Sequence, residues 1–145
     1  MLAILEYFGP WWDHKDATAE RKFNAGLLID ACNKLEAIAV ADGVVFPEHH
    51  RTLNKMHWGD VSDISGDSYG GFRPQDCPIG APNSSHKTGE GVDRFDPHEE
   101  IDAWCMANQD KLMECGIYIE HPSATKGWSH WTIRSPRSGN TVFYP

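Results

Sequence analysis

The sequence predicts an α+β fold, a small and mostly antiparallel sheet with flanking helices. Three observations lead there. One long stretch repeats its apolar residues every three or four positions, a second helix start is well marked, and the short strand-like runs cluster in the last third of the chain. Few segments could make a crossover between parallel strands, which argues against an α/β sheet.

In chain order, Asp16 or Thr18 can cap a helix over residues 18–41. Phe23, Leu27, Ala31, Leu35 and Ile38 form its apolar stripe, and Asp42-Gly43 ends it. That stripe is expected to carry the sheet. Val44-Val45-Phe46 reads as a short strand before Pro47, and His57 to Asp67 as a loop rich in Gly, Asp and Ser. Pro74 to Asn83 holds three prolines and reads as an extended connection. In Asp96-Pro97-His98-Glu99, Asp stands at an N-cap position, Pro at the first helical position and Glu at the third, so a helix is expected to begin at Pro97. Ile101, Trp104 and Cys105 share its apolar face, and Gly116 stops the last helical turn. Ile117-Tyr118-Ile119, Trp128 to Ile133 and Val142-Phe143-Tyr144 read as strands, with a turn over Pro136 to Gly139.

The 145 residues suit one domain, 1–145, with ordinary apolar (40%) and charged (23%) fractions for a globular chain. Thirteen basic against 21 acidic residues give a net charge of −8, which opposes nucleic acid as a partner. It also gives no long-range attraction to an anionic cell wall. Met1 to Glu6 is too short and lacks the basic start of a secretion signal, and no run is long enough to span a membrane. The expectation is a soluble cytoplasmic monomer without membrane insertion. Cys32, Cys77, Cys105 and Cys115 form no C-x-x-C pair and read as reduced, partly buried thiols. The tryptophans read mainly as core, though Trp58 or Trp128 could line a cleft.

The chemistry concentrates in Ser84-Ser85-His86-Lys87-Thr88-Gly89-Glu90-Gly91-Val92-Asp93. His86 and Asp93 can converge if the chain turns between them, which Gly89 and Gly91 permit. An imidazole and a carboxylate are zinc donors, and a catalytic zinc site needs a third. His130, between tryptophan-bearing positions of a predicted strand, is suited to it. Ser84 lies in no nucleophile elbow, so a supporting hydrogen-bonding role is the better reading. His14, His49-His50, His57 and His98 have no comparable support.

The order S-x-H-x-x-G-x-A-x-D followed by a distant W-x-H resembles the zinc D-Ala-D-Ala carboxypeptidase family, which includes phage endolysins and shares its fold with Hedgehog signalling domains. Ser84, His86, Gly89 and Asp93 match the first motif, and Gly91 stands where alanine is usual. Trp128-Ser129-His130 matches the second, and Gly70-Gly71-Phe72-Arg73-Pro74 is similar to the strand end that carries the family's arginine. The resemblance spans roughly residues 60–135.

It implies a Hedgehog/DD-peptidase-like fold, one Zn²⁺ on His86, Asp93 and His130, and hydrolysis of peptidoglycan peptide. Arg73 would face the carbonyl oxygen or substrate carboxylate, with Ser84 and Trp128 at the substrate or behind the ligands. A lysis enzyme held in the cytoplasm until release fits the missing signal. The pattern departs at Gly127, where many members carry the acid three residues before the last histidine. Glu120, at the end of the preceding strand, is the candidate replacement. The alternatives are that Glu120 is a solvated strand end, or that the domain is a non-catalytic zinc module in a virion or assembly role. A small zinc amidase of another fold is a third reading.

Overall fold

The computed structural model describes residues 1–47 and 70–145. His49-His50, His57, Trp58 and the predicted loop around them lie outside the described residues. The fold is α+β, with helices against a small four-stranded mixed sheet.

Helix α1 (Ile4–Phe8) leads through a 3-10 turn, Gly9–Trp11, to the long helix α2 (Ala19–Ala41). Thr18 caps α2, its side chain accepting from the Arg21 amide at 3.3 Å. The extent matches the sequence pattern, and Leu35 is buried and Ala31 packed against the core as expected, but the N-terminal half of the stripe is not buried. Phe23 and Leu27 are 67% and 49% exposed, whereas Ala25, Leu28, Ile29, Cys32, Leu35, Glu36 and Ala39 are buried. Two stripes compete in α2, and the winning one holds a charge. Glu36 meets Arg94 at 2.8 Å inside the protein, and Arg94 also lies over the rings of Phe46 and Trp131. A paired charge can be buried where a lone one cannot. Val44 to Phe46 is not a strand. Phe46 instead packs edge-on against Trp131, at 5.9 Å between ring centres.

The sheet contains β1 (Gly91–Phe95), β2 (Tyr118–Glu120), β3 (Trp128–Thr132) and β4 (Val142–Phe143), in the order β1-β3-β2-β4. β3 pairs antiparallel with β1 and β2, and β4 joins β2 in parallel. Side chains alternate between the faces. Val92, Ile119 and Trp131 turn to the back and join Tyr7, Phe8, Leu28, Leu35, Ile101 and Leu112 in one core. Asp93 and His130 are register partners on the front, as are Glu120 and Phe143. Continuing the β2–β3 register by one step sets Glu120 opposite His130. One front row therefore crosses the sheet as Asp93, His130, Glu120, Phe143.

Helices α4 (Glu100–Ala107) and α5 (Gln109–Cys115) separate β1 from β2, with a break at Asn108. Gly116 ends α5 in the left-handed region, as the sequence implies. The predicted start at Pro97 is displaced. Pro97 and His98 form a turn, Glu99 adopts φ 58°, and the helix begins at Glu100. Asp96 still caps it from farther back, accepting from the amides of Ile101 (3.0 Å) and Asp102 (2.9 Å). Cys32, Cys77 and Cys105 are buried free thiols, and Cys115 is half-buried.

Asp102 is buried on α4, bonded to Thr125 Oγ1 at 3.2 Å. Burial, with the Asp96 carboxylate adding to it, pushes its carboxyl from 3.8 up to about 6. Between those values the folded state holds a proton that the unfolded chain releases. The group's stabilising contribution is therefore complete below the unfolded value and is lost as pH rises through about 6. Asp102→Asn is expected to raise the melting temperature by a few degrees at pH 8, on the order of 2 kcal/mol. It should change little at pH 4, and thermal melts at the two pH values test this.

Candidate metal centre

Four segments build the site. The short helix α3 (Ser85–Thr88) carries His86, β1 carries Asp93, β3 carries His130, and residues 70–73 run between them. Ser84 starts α3, its Oγ accepting from the His86 amide at 3.3 Å. Gly89 closes α3 at φ 79°, and a Cβ there would overlap the Arg21 carbonyl. Only glycine suits that corner. Gly91 is not part of the turn; it opens β1.

The 70–73 segment acts as a backbone template. Gly70 O accepts from Asp93 N at 2.8 Å, and the Arg73 amide donates to His86 O at 3.2 Å. Gly71 O lies 2.8 Å from His86 Nδ1. Phe72 anchors the segment in the core, 4.8 Å from Phe8 between ring centres.

His86, Asp93 and His130 converge as one buried group able to hold a metal ion. His86 Nε2 is 3.2 Å and His130 Nδ1 2.8 Å from the same oxygen, Asp93 Oδ1. The other carboxylate oxygen, Oδ2, accepts from Arg73 Nη2 at 3.2 Å. Burial and the Arg73 charge push the His86 imidazole down from 6.5 to about 4. A carbonyl only accepts, so Nδ1 donates to Gly71 O, and Nε2 is the nitrogen turned to Asp93. Burial acts to raise Asp93, but the His86 and His130 rings hold its carboxyl well below the usual range. Two imidazoles and a carboxylate turned toward one point in a buried site form a donor set that could hold a cation.

A search of protein-family models, curated proteins and solved structures finds no match to this chain. The site is therefore read from its own geometry.

The group lies on the floor of a cavity of about 540 Å³. Arg73, Ser84, Glu120 and Trp128 line it, together with Ile79, Ala81, Pro136, Phe143 and Pro145. His86, Asp93, His130, Arg73, Ser84, Glu120 and Trp128 thus line one cleft. Burial raises the Glu120 carboxyl, with His130 opposing and Asp93 assisting. Gly127 adopts φ 92°, and its carbonyl accepts from Asp96 N at 2.9 Å. A side chain there would be strained.

Sequence reasoning missed two residues. Arg134, just past β3, bonds Asn83 O, Thr88 Oγ1 and Glu90 Oε1, and so ties the His86-bearing turn to the His130-bearing strand. Ser85 Oγ lies 3.2 Å from His130 Nε2. Neither falls on a motif position whose chemistry announces a role. A second group, His14, Asp16 and Asp76, gathers near the surface, with Asp16 4.0 Å from Arg21. Among the described residues no helix is long and apolar enough to cross a membrane.

Proposed function

We propose that the protein is a zinc-dependent peptidase acting on the stem peptides or cross-links of peptidoglycan, built on the Hedgehog/DD-peptidase-like fold. The observation that carries the metal reading is the convergence of His86 Nε2 and His130 Nδ1 on one oxygen of Asp93, at 3.2 and 2.8 Å, in a buried group. With bonds of about 2.0–2.1 Å, tetrahedral zinc spaces its donors about 3.3 Å apart. The His86–Asp93 spacing is close to that, and the 2.8 Å between Asp93 and His130 needs only a slight opening. Two histidines, one carboxylate and an adjoining cavity make up a catalytic donor set with a position left for water.

A zinc ion held by His86, Asp93 and His130 would supply Lewis acidity to a scissile carbonyl and acidify a water. Glu120, one strand over from His130 in the same row, would act as the proton carrier, accepting a proton in the cleft and returning it to the leaving amine. Its burial suits that task, because a raised carboxyl is a stronger base. Arg73 places positive charge beside the centre, where the carbonyl oxygen becomes negative. Trp128, Phe143 and Pro136 give the peptide an apolar wall. The choice of peptidoglycan rests on the resemblance carried by Ser84 to Asp93, Trp128 to His130 and Gly70 to Pro74. The same proposal takes the protein as a monomer held in the cytoplasm until release.

Purified peptidoglycan incubated with zinc-loaded protein, and analysed by mass, tests the reading. Released D-alanine or cut stem peptides, lost with chelator and restored by zinc, support it. Cleavage at the sugar–peptide link indicates an amidase. Zinc-dependent melting with no fragments at all indicates a binding module.

A further inference from the structure

We infer that Ser85 is a positioning residue for His130, and that Gly91 is glycine because Ser85 needs its space. The inference rests on the metal reading of the site.

His130 turns Nδ1 toward Asp93 Oδ1, 2.8 Å away, and the opposite nitrogen, Nε2, toward Ser85 Oγ at 3.2 Å. The His130 side chain is only 10% exposed, so a polar atom on its far edge needs a protein partner. When Nδ1 ligates a cation, the ring proton must sit on Nε2, and that N–H needs an acceptor. A serine hydroxyl can accept there, and can donate to the same nitrogen when the ring carries its proton on Nδ1. Ser85 therefore serves both states and holds the ring plane fixed between them. His86 has the fixed equivalent in the Gly71 carbonyl, which only accepts. The two histidines thus differ: one is locked in the ligating tautomer, and the other is held by a partner that can switch.

Gly91 completes the arrangement. A Cβ on Gly91 would overlap Ser85 Oγ, approach Ser85 Cβ to 2.8 Å and come within 3.1 Å of His130 Cε1. Any side chain at 91 must therefore displace the hydroxyl, the ring, or both. Gly91 itself is fixed from the other side, because its carbonyl accepts from the Tyr7 hydroxyl at 2.9 Å. The strand cannot simply back away.

The test is zinc affinity by competition with a chromogenic chelator, together with ¹⁵N shifts of the His130 ring in the zinc-loaded protein. Ser85→Ala is expected to weaken zinc binding about tenfold and to move the Nε2 resonance away from its hydrogen-bonded position. Gly91→Ala, which keeps the hydroxyl but pushes it aside, is expected to do the same. In a Ser85→Gly background, where only the 3.1 Å approach to His130 Cε1 remains, Gly91→Ala should add less than it costs alone. Wild-type affinity and an unmoved Nε2 resonance in Ser85→Ala overturn the inference. So does a Gly91→Ala penalty undiminished beside Ser85→Gly. If Gly91→Ala does not fold, Ser85→Ala still decides. A wild-type protein that binds no zinc overturns the metal reading itself, a different outcome from zinc binding that ignores Ser85.

Discussion

Asp93→Asn is expected to lose zinc binding and, even without metal, to lose more stability than His86→Gln, which keeps the Arg73 pair. The difference follows from the two oxygens of Asp93. Oδ1 faces both histidines, and Oδ2 pairs with Arg73 inside the protein. Removing the carboxylate breaks the buried ion pair between Asp93 and the Arg73 guanidinium, and breaking a buried pair costs stability. Glutamine at 86 leaves that pair intact. Urea unfolding of chelator-treated proteins gives the stability difference, and zinc titration gives the affinity. Equal stability losses in the two variants would show that the Arg73 pair contributes nothing, and retained zinc in Asp93→Asn would remove the carboxylate from the ligand set.

Glu120→Gln is expected to cut peptide hydrolysis by about 10² to 10⁴-fold while zinc affinity stays within a small factor of wild type. Glutamine keeps the size and hydrogen-bonding reach of the side chain and loses only the ability to carry a proton. Glu120 is set in the row by β-sheet register and is not one of the three converging donors. Turnover of stem peptides followed by mass, with zinc titrations on the same preparation, separates the two effects. An unchanged rate would return Glu120 to a plain strand end. Gly127→Glu should not restore the lost rate, because φ 92° at that position holds the chain in a conformation glutamate resists.

The site was more legible in the sequence than the packing that supports it. His86, Asp93 and His130 announce themselves by type and order, since few structural roles need that donor set, and the structure brings all three to one place. The limits of α2 were readable from Thr18 and Asp42, because caps are local. The N-terminal half of its buried face was not. Phe23 and Leu27 are larger and more apolar than Ala25 and Ala39, so a stripe drawn by hydropathy selects them. The deciding partner, Arg94 on β1, lies 58 residues from Glu36. The displaced start of α4 has a similar origin. Asp96 was recognised as a cap, but the amides it reaches are five and six residues on, across a turn that the pattern does not encode. Ser85 and Arg134 act only through long-range approach to residues 45 and 44 or more positions away, so no spacing in the chain marks them.

The alternation of β3 places Ser129 and Trp131 in the interior and His130 in the cleft, on consecutive residues. One inserted or deleted residue in this strand would exchange the two sides, driving the largest ring of the interior into the cleft and the His130 imidazole into the hydrocarbon. The strand should therefore accept many substitutions in preference to a single change of length. The turn over 136–139, whose residues are half-buried to exposed, is where the chain can grow or shrink without disturbing the row.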